Sequence, residues 1–404
     1  VRVLLYTFGS RGDIEPLLAL AIALRDRGAE AVFCAPPDFA DLLAANGMEH
    51  VPTGPSVHEL VHVRKATHAD APALAAELVA TQFGTLRIAK RCDAIIGTGL
   101  MPAGMRSVAE LIGIPYICAV LTPHVLPSPH HRPLPRPGKP FPEDLTDNAR
   151  LWELDAEKVQ VLYGPALNEH RARAGLDAVT DVRDHTFTDT PWLAVDPVIS
   201  PWPPAPNITP IQTGAWIGVD RRPLPPDLKD FLAAGPPPVY AGFGSVTAPE
   251  DAARTAIEAI RSHGRRIILG SGWAGLTSSA ADCFVIGEVN QQALFGRVAA
   301  VIHHGGAGTT TTAAAAGVPQ VVVPQIVDQP YFARRVAELG IGAAHDGPAP
   351  TVNTLAEALR LVLQPEIRTR ASALAPTIAT DGADTAAAML LDARQRRFES
   401  TRGT

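Results

Sequence analysis

The apolar positions of this chain alternate between two periods. VRVLLYTF is a nearly unbroken apolar run, as expected of a strand buried on both faces. IEPLLALAIALRDRG behind it carries apolar residues at helical spacing as far as Gly28. AEAVFCAP and DFADLLAANG repeat the pair and stop at Gly47, and AIIGTG, a helix over 102–112 and IPYICAVL continue it. Apolar strands alternating with amphipathic helices predict an α/β fold: a parallel sheet with helices on both faces, doubly wound because crossovers are right-handed.

The alternation lapses between Pro197 and Pro226, where PVISPWPPAPNITPIQTGAWIGVDRRPLPP reads as an inter-domain connector. It then restarts with PVYAGFG, a helix over 250–263, RRIILG, CFVIG, a helix over 291–298, AAVIHH, a helix over 309–316 and QVVVPQ. The expected organisation is therefore two doubly wound domains, residues 1–205 and 206–385, with the C-terminal helix 386–404 returning to the first. Each opens on the same corner, Phe8-Gly9-Ser10 and Phe243-Gly244-Ser245, a strand running through Gly-Ser into a helix. First βα turns lie at the carboxyl edge of a parallel sheet, where open α/β domains bind ligands. Two such edges facing each other would form a cleft. Residues 122–144, TPHVLPSPHHRPLPRPGKPFPED, are too proline-rich for regular structure, and with 56–74 they read either as substrate-binding loops or as floppy surface excursions.

Composition narrows the function. A net charge of −6 argues against a nucleic-acid surface, which needs a basic stripe. No apolar run approaches the roughly 20 residues of a membrane span, and the opening residues lack the pattern of a secretion leader. The four cysteines are far apart without a C-x-x-C pair, which speaks against a zinc site or disulfide scaffold and for buried thiols in a cytoplasmic protein.

The strongest chemical signal is VIHHGGAGTTTTAAAAGVPQVVVPQIVDQP, residues 301–330. A strand delivers His303 and His304 to Gly305-Gly306-Ala307-Gly308, and an Ala/Thr helix begins at Thr309. Small residues allow close backbone approach to an anion, and the helix N-terminus supplies unpaired N–H groups and partial positive charge. A tight turn between core elements would explain the glycines without any ligand; the two histidines and the Asp328-Gln329 pair tip the reading towards a phosphate. Asp13 follows the first corner, where it is either a functional carboxylate or an N-cap of a helix starting at Ile14. Arg-Gly-Asp within GSRGD would suit adhesion only on a secreted protein.

H-x-G-G-x-G-T followed by D-Q-P resembles the donor-sugar motif of GT-B glycosyltransferases, and the chain is most similar to the bacterial enzymes that glycosylate vancomycin- and teicoplanin-type glycopeptide antibiotics. TFGSRGDIEPLLALA, CAPPDF, TDTPWLA, QTGAWI, VYAGFGS, IGEVNQQALF, HHGGAGTT and DQPYFARRVAELG carry the likeness in order along essentially the whole length. The resemblance implies two Rossmann-like domains facing across a cleft, and an inverting transfer of sugar from a TDP- or UDP-sugar to a hydroxyl of a glycopeptide aglycone. It implies that His304, Gly306, Gly308 and Thr309 bind the donor diphosphate with a hydroxyl from Ser245. Val289 would meet the base, Trp273 would shape its pocket unless it is a core tryptophan, and Asp328 and Gln329 would take the sugar hydroxyls. Ser10 and Arg11 would reach towards the diphosphate, and Asp13 would be the general base. The chain has no D-x-D triplet, so the resemblance implies transfer without metal and with no cofactor beyond the donor. Three rivals stand beside it. A nucleotide-sugar epimerase of the same fold would lack a roomy acceptor site, and the two long loops speak against it. A dinucleotide oxidoreductase would show G-x-G-x-x-G after the first strand, where this chain has G-S-R-G-D. A non-catalytic auxiliary would tolerate loss of Asp13 and His304, and both are present.

Overall fold

The computed structural model describes residues 1–65, 67–243, 251–271 and 282–402. Seven strands build the first sheet: β1 (Arg2–Phe8), β2 (Glu30–Ala35), β3 (Glu49–Pro52), β4 (Ala94–Gly99), β5 (Tyr116–Val120), β6 (Trp192–Leu193) and β7 (Ile211–Gln212). They run parallel in the order β3-β2-β1-β4-β5-β6-β7. Six more form the second: β8 (Val239–Gly242), β9 (Ile267–Gly270), β10 (Cys283–Ile286), β11 (Ala300–His303), β12 (Gln320–Val322) and β13 (Gly342–Ala344). These are parallel too, in the order β10-β9-β8-β11-β12-β13. Both sheets thus follow the same doubly wound plan. The direction of winding reverses between β1 and β4 and again between β8 and β11, and such switch points open the crevices in which α/β domains bind ligands.

Two compact units result. One comprises Val1–Val195, Trp202–Gly218 and Asp381–Thr404; the other comprises Asp196–Pro201 and Val219–Thr380. The proline-rich stretch is thus more than a connector. It contributes β7, whose Ile211 and Gln212 pair with Trp192 and Leu193 of β6. Fixed φ angles suit proline to such edge positions, where few backbone donors are needed.

In the first unit the helix Arg11–Asp26 buries Ile14, Leu17, Leu20 and Leu24 completely, a stripe at three- and four-residue spacing that packs with Val3, Leu5 and Phe33 of the sheet. Each such side chain contributes roughly 1.5–3 kcal/mol of burial. The helix Gly382–Arg402 covers the same core with Ala386, Ala387 and Leu390, and Asp384 meets Arg27. Its entry needs glycine, because a Cβ on Gly382 would stand 2.4 Å from the backbone carbon of Gly214.

The loop over 122–144 is fastened to the helix Asn148–Arg173 at several points. Arg136 grips the fully buried Asp155 with two nitrogens, at 2.5 and 3.1 Å. Trp152 Nε1 donates to the carbonyl of His131 at 2.9 Å, and Asn148 donates to that of Pro129 at 2.9 Å. A bidentate pair with a buried carboxylate is costly to break, so this segment is a fixed feature and not a floppy excursion. Among the described residues no helix is long and apolar enough to cross a membrane. Cys34, Cys92 and Cys118 are buried free thiols, and Cys283 is half-buried.

Candidate active site

The corner after β1 is closed by its own side chains. The helix begins at Arg11, not at Ile14, because Ser10 is the N-cap and Asp13 the third helical residue of a capping box. Ser10 Oγ accepts from the N–H of Gly12 at 3.3 Å, and Asp13 Oδ2 accepts from the N–H of Ser10 at 2.8 Å. The reading of Asp13 as an N-cap is therefore corrected: it back-bonds to the cap residue. Its carboxylate folds over Gly9, where a Cβ would lie 2.1 Å from Oδ2. That contact is the reason for glycine here. Asp13 is half-buried and Ser10 exposed. Arg11 pairs through Nε with Glu15 one turn on, at 2.5 Å.

The turn after β11 is built differently. His303 is fully buried, and its Nδ1 accepts from the N–H of Gly305 at 3.1 Å. Gly305 takes φ +93°, and a Cβ there would lie 2.7 Å from Val322 Cγ1 and 3.1 Å from the carbonyl oxygen of Gln329. Both the left-handed backbone and the crowding demand glycine. The helix Ala307–Ala315 follows with Gly306 as N-cap and no side-chain cap. Its first backbone bond runs from the N–H of Thr310 to the carbonyl of Gly306, at 3.0 Å. The N–H groups of Ala307, Gly308 and Thr309 precede it, the positions from which helices bind anions. Nothing lies within 4 Å of a Cβ placed on Gly308, so the approach is open.

His304 is half-buried beside this helix end, and its ring reaches so close to Gly306 that a Cβ there would meet Nε2 at 2.7 Å. Its Nδ1 is buried without a hydrogen-bond partner. Burial holds the ring pKa down to about 4, so at neutral pH it is uncharged. In the tautomer that carries the proton on Nε2, the ring presents that N–H towards Gly306. The turn therefore offers backbone donors, a helix dipole and one neutral imidazole donor, a set suited to a phosphate oxygen.

Gln329 sits close to the turn, where a Cβ on Gly305 would lie 3.1 Å from its carbonyl oxygen, and Asp328 precedes it in the chain. Asp328 takes the N-cap position of the helix Gln329–Glu338 without a side-chain capping bond. The side chain of Gln329 is buried, and its Oε1 accepts from the N–H groups of Gln325 and Ile326 at 2.8 and 3.1 Å. Its carbonyl is thus committed to the loop that delivers Asp328. In that loop Val327 adopts φ +57°. A β-branched residue in the left-handed region costs on the order of 1–3 kcal/mol, a strain of the kind found at ligand sites. Val289 is half-buried in the turn after β10, next to Asn290, whose side chain donates to the carbonyls of Asp220 and Arg222. Because β10, β11 and β12 are parallel, Val289, His304 and Asp328 all lie in loops leaving the same carboxyl edge. Ser245 and Trp273 lie outside the described residues.

Sequence reading missed Gln320. It lies fully buried in β12, where its Oε1 meets His303 Nε2 at 2.9 Å and its Nε2 donates to the carbonyl of Thr310 at 3.3 Å. The available signal was one polar residue opening an otherwise apolar strand, GVPQVVV. Among the described residues no cluster of three or more potential metal ligands is present.

Residues 3–119 match the glycosyltransferase family 28 N-terminal domain, and residues 276–391 match the C-terminal domain of the erythromycin biosynthesis protein CIII-like family. The vancomycin aglycone glucosyltransferase of Amycolatopsis orientalis is 54% identical over 402 residues, covering 98% of each chain. The dTDP-epi-vancosaminyltransferase of the same organism is 47% identical over 383 residues, covering 92% of each. Among solved structures, the glycotransferase of kitacinnamycin superposes with a TM-score of 0.73 at 20% identity, covering 97% of this chain and 98% of that one. The glycosyltransferase VinC in complex with DTDP gives 0.67 at 21% identity, covering 98% and 100%. These two show the fold, a two-domain glycosyltransferase architecture of the GT-B type.

Proposed function

This chain belongs to the vancomycin-type glycopeptide glycosyltransferases, and from that membership we propose an inverting, metal-independent transfer of a sugar from a TDP- or UDP-sugar to a hydroxyl of a glycopeptide antibiotic aglycone or pseudoaglycone. The observation that carries the reading is the turn at 303–309: an uncapped helix N-terminus beside a neutral histidine whose buried Nδ1 lacks a partner. The donor diphosphate rests on the N–H groups of Ala307, Gly308 and Thr309 and accepts from His304 Nε2. Gly306 and Gly308 keep the approach clear, Asp328 takes sugar hydroxyls, and Val289 borders the base; Ser245 and Trp273 complete this set by resemblance alone.

In the reaction the acceptor oxygen attacks the anomeric carbon as the bond to the diphosphate breaks on the opposite side. The bonding pair leaves with the diphosphate, and Asp13 takes the acceptor proton. Charge developing on the leaving group is met by the helix end and by His304, the kind of fixed donors that stabilise a transition state most. Ser10 stands beside the base as its hydrogen-bond partner, and Arg11 would have to release Glu15 to reach the donor.

The test uses radiolabelled TDP- and UDP-sugars with and without a vancomycin-type aglycone, in magnesium and in EDTA. Labelled, β-configured or otherwise inverted glycopeptide should form at similar rates in both buffers. Epimerised donor without acceptor would support the epimerase reading instead. Activity lost in EDTA and restored only by a divalent ion would remove metal independence.

A further inference from the structure

Between the anion turn and the core runs a chain of three buried polar groups that substrate binding does not use. The N–H of Gly305 donates to His303 Nδ1 at 3.1 Å, which fixes that nitrogen as a lone pair. In a neutral ring the proton then sits on Nε2, and it points to Gln320 Oε1 at 2.9 Å. Gln320 Nε2 in turn donates to the carbonyl of Thr310 at 3.3 Å, one turn into the helix that would hold the diphosphate. His303, Gln320 and Thr310 are all fully buried. Both ring nitrogens and both polar atoms of the amide have a partner, and only one tautomer and one amide orientation satisfy these bonds. The two ends of the chain are the two structures that the anion site needs: left-handed Gly305 and the first turn of the helix Ala307–Ala315.

We propose that Gln320 is a positioning residue for donor binding: acting through His303, it sets the imidazole tautomer that holds Gly305 in place and ties that turn to the helix whose N–H groups receive the diphosphate. Moving the ring's proton to Nδ1 would set two N–H groups against each other at Gly305, and turning the ring over would put a carbon there in place of the acceptor. The turn would then lose the side-chain anchor at Gly305. This inference rests on the diphosphate reading above.

Its test is nucleotide binding together with the ring state of His303. Thymidine diphosphate alone serves as the probe, titrated calorimetrically into the full chain. Gln320→Leu leaves His303 Nε2–H without its partner and removes the side-chain bond to the Thr310 carbonyl, and affinity should fall by about tenfold or more, the range for a buried donor left unsatisfied. Gln320→Glu, protonated in this buried site, offers the same acceptor and donor, and should stay within about threefold of the parent. In 15N spectra of the imidazoles, the parent and the Glu variant should show His303 protonated on Nε2, and the Leu variant should show a mixture. Parental affinity in Gln320→Leu would overturn the proposal, as would equal losses in both variants. A His303 proton on Nδ1 in the unmodified protein would overturn it even if Gln320→Leu failed to fold. The same titration, followed in 15N spectra, separates the two levels: if thymidine diphosphate leaves the backbone amide signals of Ala307, Gly308 and Thr309 unmoved, the diphosphate reading itself fails, not only the role of Gln320.

Discussion

The corner after β1 and the turn after β11 are both strand-to-helix junctions at the switch point of a sheet, yet they treat their helix ends in opposite ways. In the first, Ser10 and Asp13 satisfy the helix N-terminus from within. In the second, Gly306 brings no capping side chain, and the first N–H groups of the helix have no such partner. A self-capped end has its positive pole already spent on a carboxylate and has little left for a phosphate. What it gains is a carboxylate held in one orientation, as a base requires. An uncapped end gains nothing in stability until an anion arrives. On the proposed function, two junctions on opposite sides of a switch point would thus serve a base in one unit and an anion site in the other, and the choice turns on whether the third helical residue can reach back.

Removing the proton acceptor should break the comparison most severely. In Asp13→Asn the amide oxygen can still accept from the N–H of Ser10, so the capping box and the fold should persist. Turnover at saturating donor and aglycone should drop by about 10²–10⁴, the usual contribution of a positioned base. Gly9→Ala reaches the same group from outside, since its methyl would fall on Asp13 Oδ2. It should lose turnover with little change in nucleotide affinity. Near-parental turnover in Asp13→Asn would reduce the carboxylate to a capping device and move the base elsewhere.

The second prediction sharpens the other half. His304→Ala removes a donor aimed at developing charge and should cost roughly 10²–10³ in rate. His303→Ala acts only through the turn, so its rate loss should be smaller while its loss of thermal stability is larger. Steady-state kinetics and melting curves on both variants decide this. Equal, small rate effects would mean that the backbone binds the diphosphate without either ring.

Much of this contrast was legible along the chain, and the illegible part has a common cause. Buried strands, the Gly-Ser corner after β1 and the His-Gly-Gly turn announce themselves because they depend on neighbours in sequence. The capping box was also readable, as Ser10 followed three residues later by a carboxylate; reading Asp13 as the cap itself put the helix start three residues late. The commitment of the Gln329 carbonyl was not readable. An amide beside an aspartate suits a sugar equally well whether or not its carbonyl is tied to Gln325 and Ile326, and only the folded loop shows that it is. Gln320 escaped for the same reason: its partners lie 17 and 10 residues away on other elements. β7 was hidden by its prolines, which mask a short edge strand that needs few backbone donors.

A further expected effect is on stability against pH, and it distinguishes the two regions by ligand. His185, His303 and His304 are held neutral in the fold, with pKa values lowered to about 4, 3 and 4. Burial is the main cause in each. The positive charges of Arg106 and Arg171 add to it at His185, and His304 adds to it at His303. In the unfolded chain these rings protonate near the ordinary value of about 6.5. Between pH 6.5 and 4 the unfolded state therefore binds more protons than the folded one, so unfolding free energy should fall as the pH falls. The slope is about 1.4 kcal/mol per pH unit for each ring once well below 6.5. Above 6.5 the three rings contribute no slope. Denaturant titrations at half-unit intervals measure it, and His185→Gln should remove one ring's share. Saturating thymidine diphosphate should flatten the slope further, because an anion against His304 raises the pKa of that ring towards its unfolded value. Asp13→Asn should leave both the slope and its response to nucleotide unchanged, since the self-capped corner holds no histidine and meets its helix end from within. A nucleotide that stabilises the protein without altering the slope would place the anion away from His304, and the division of labour between the two helix ends would have to be redrawn.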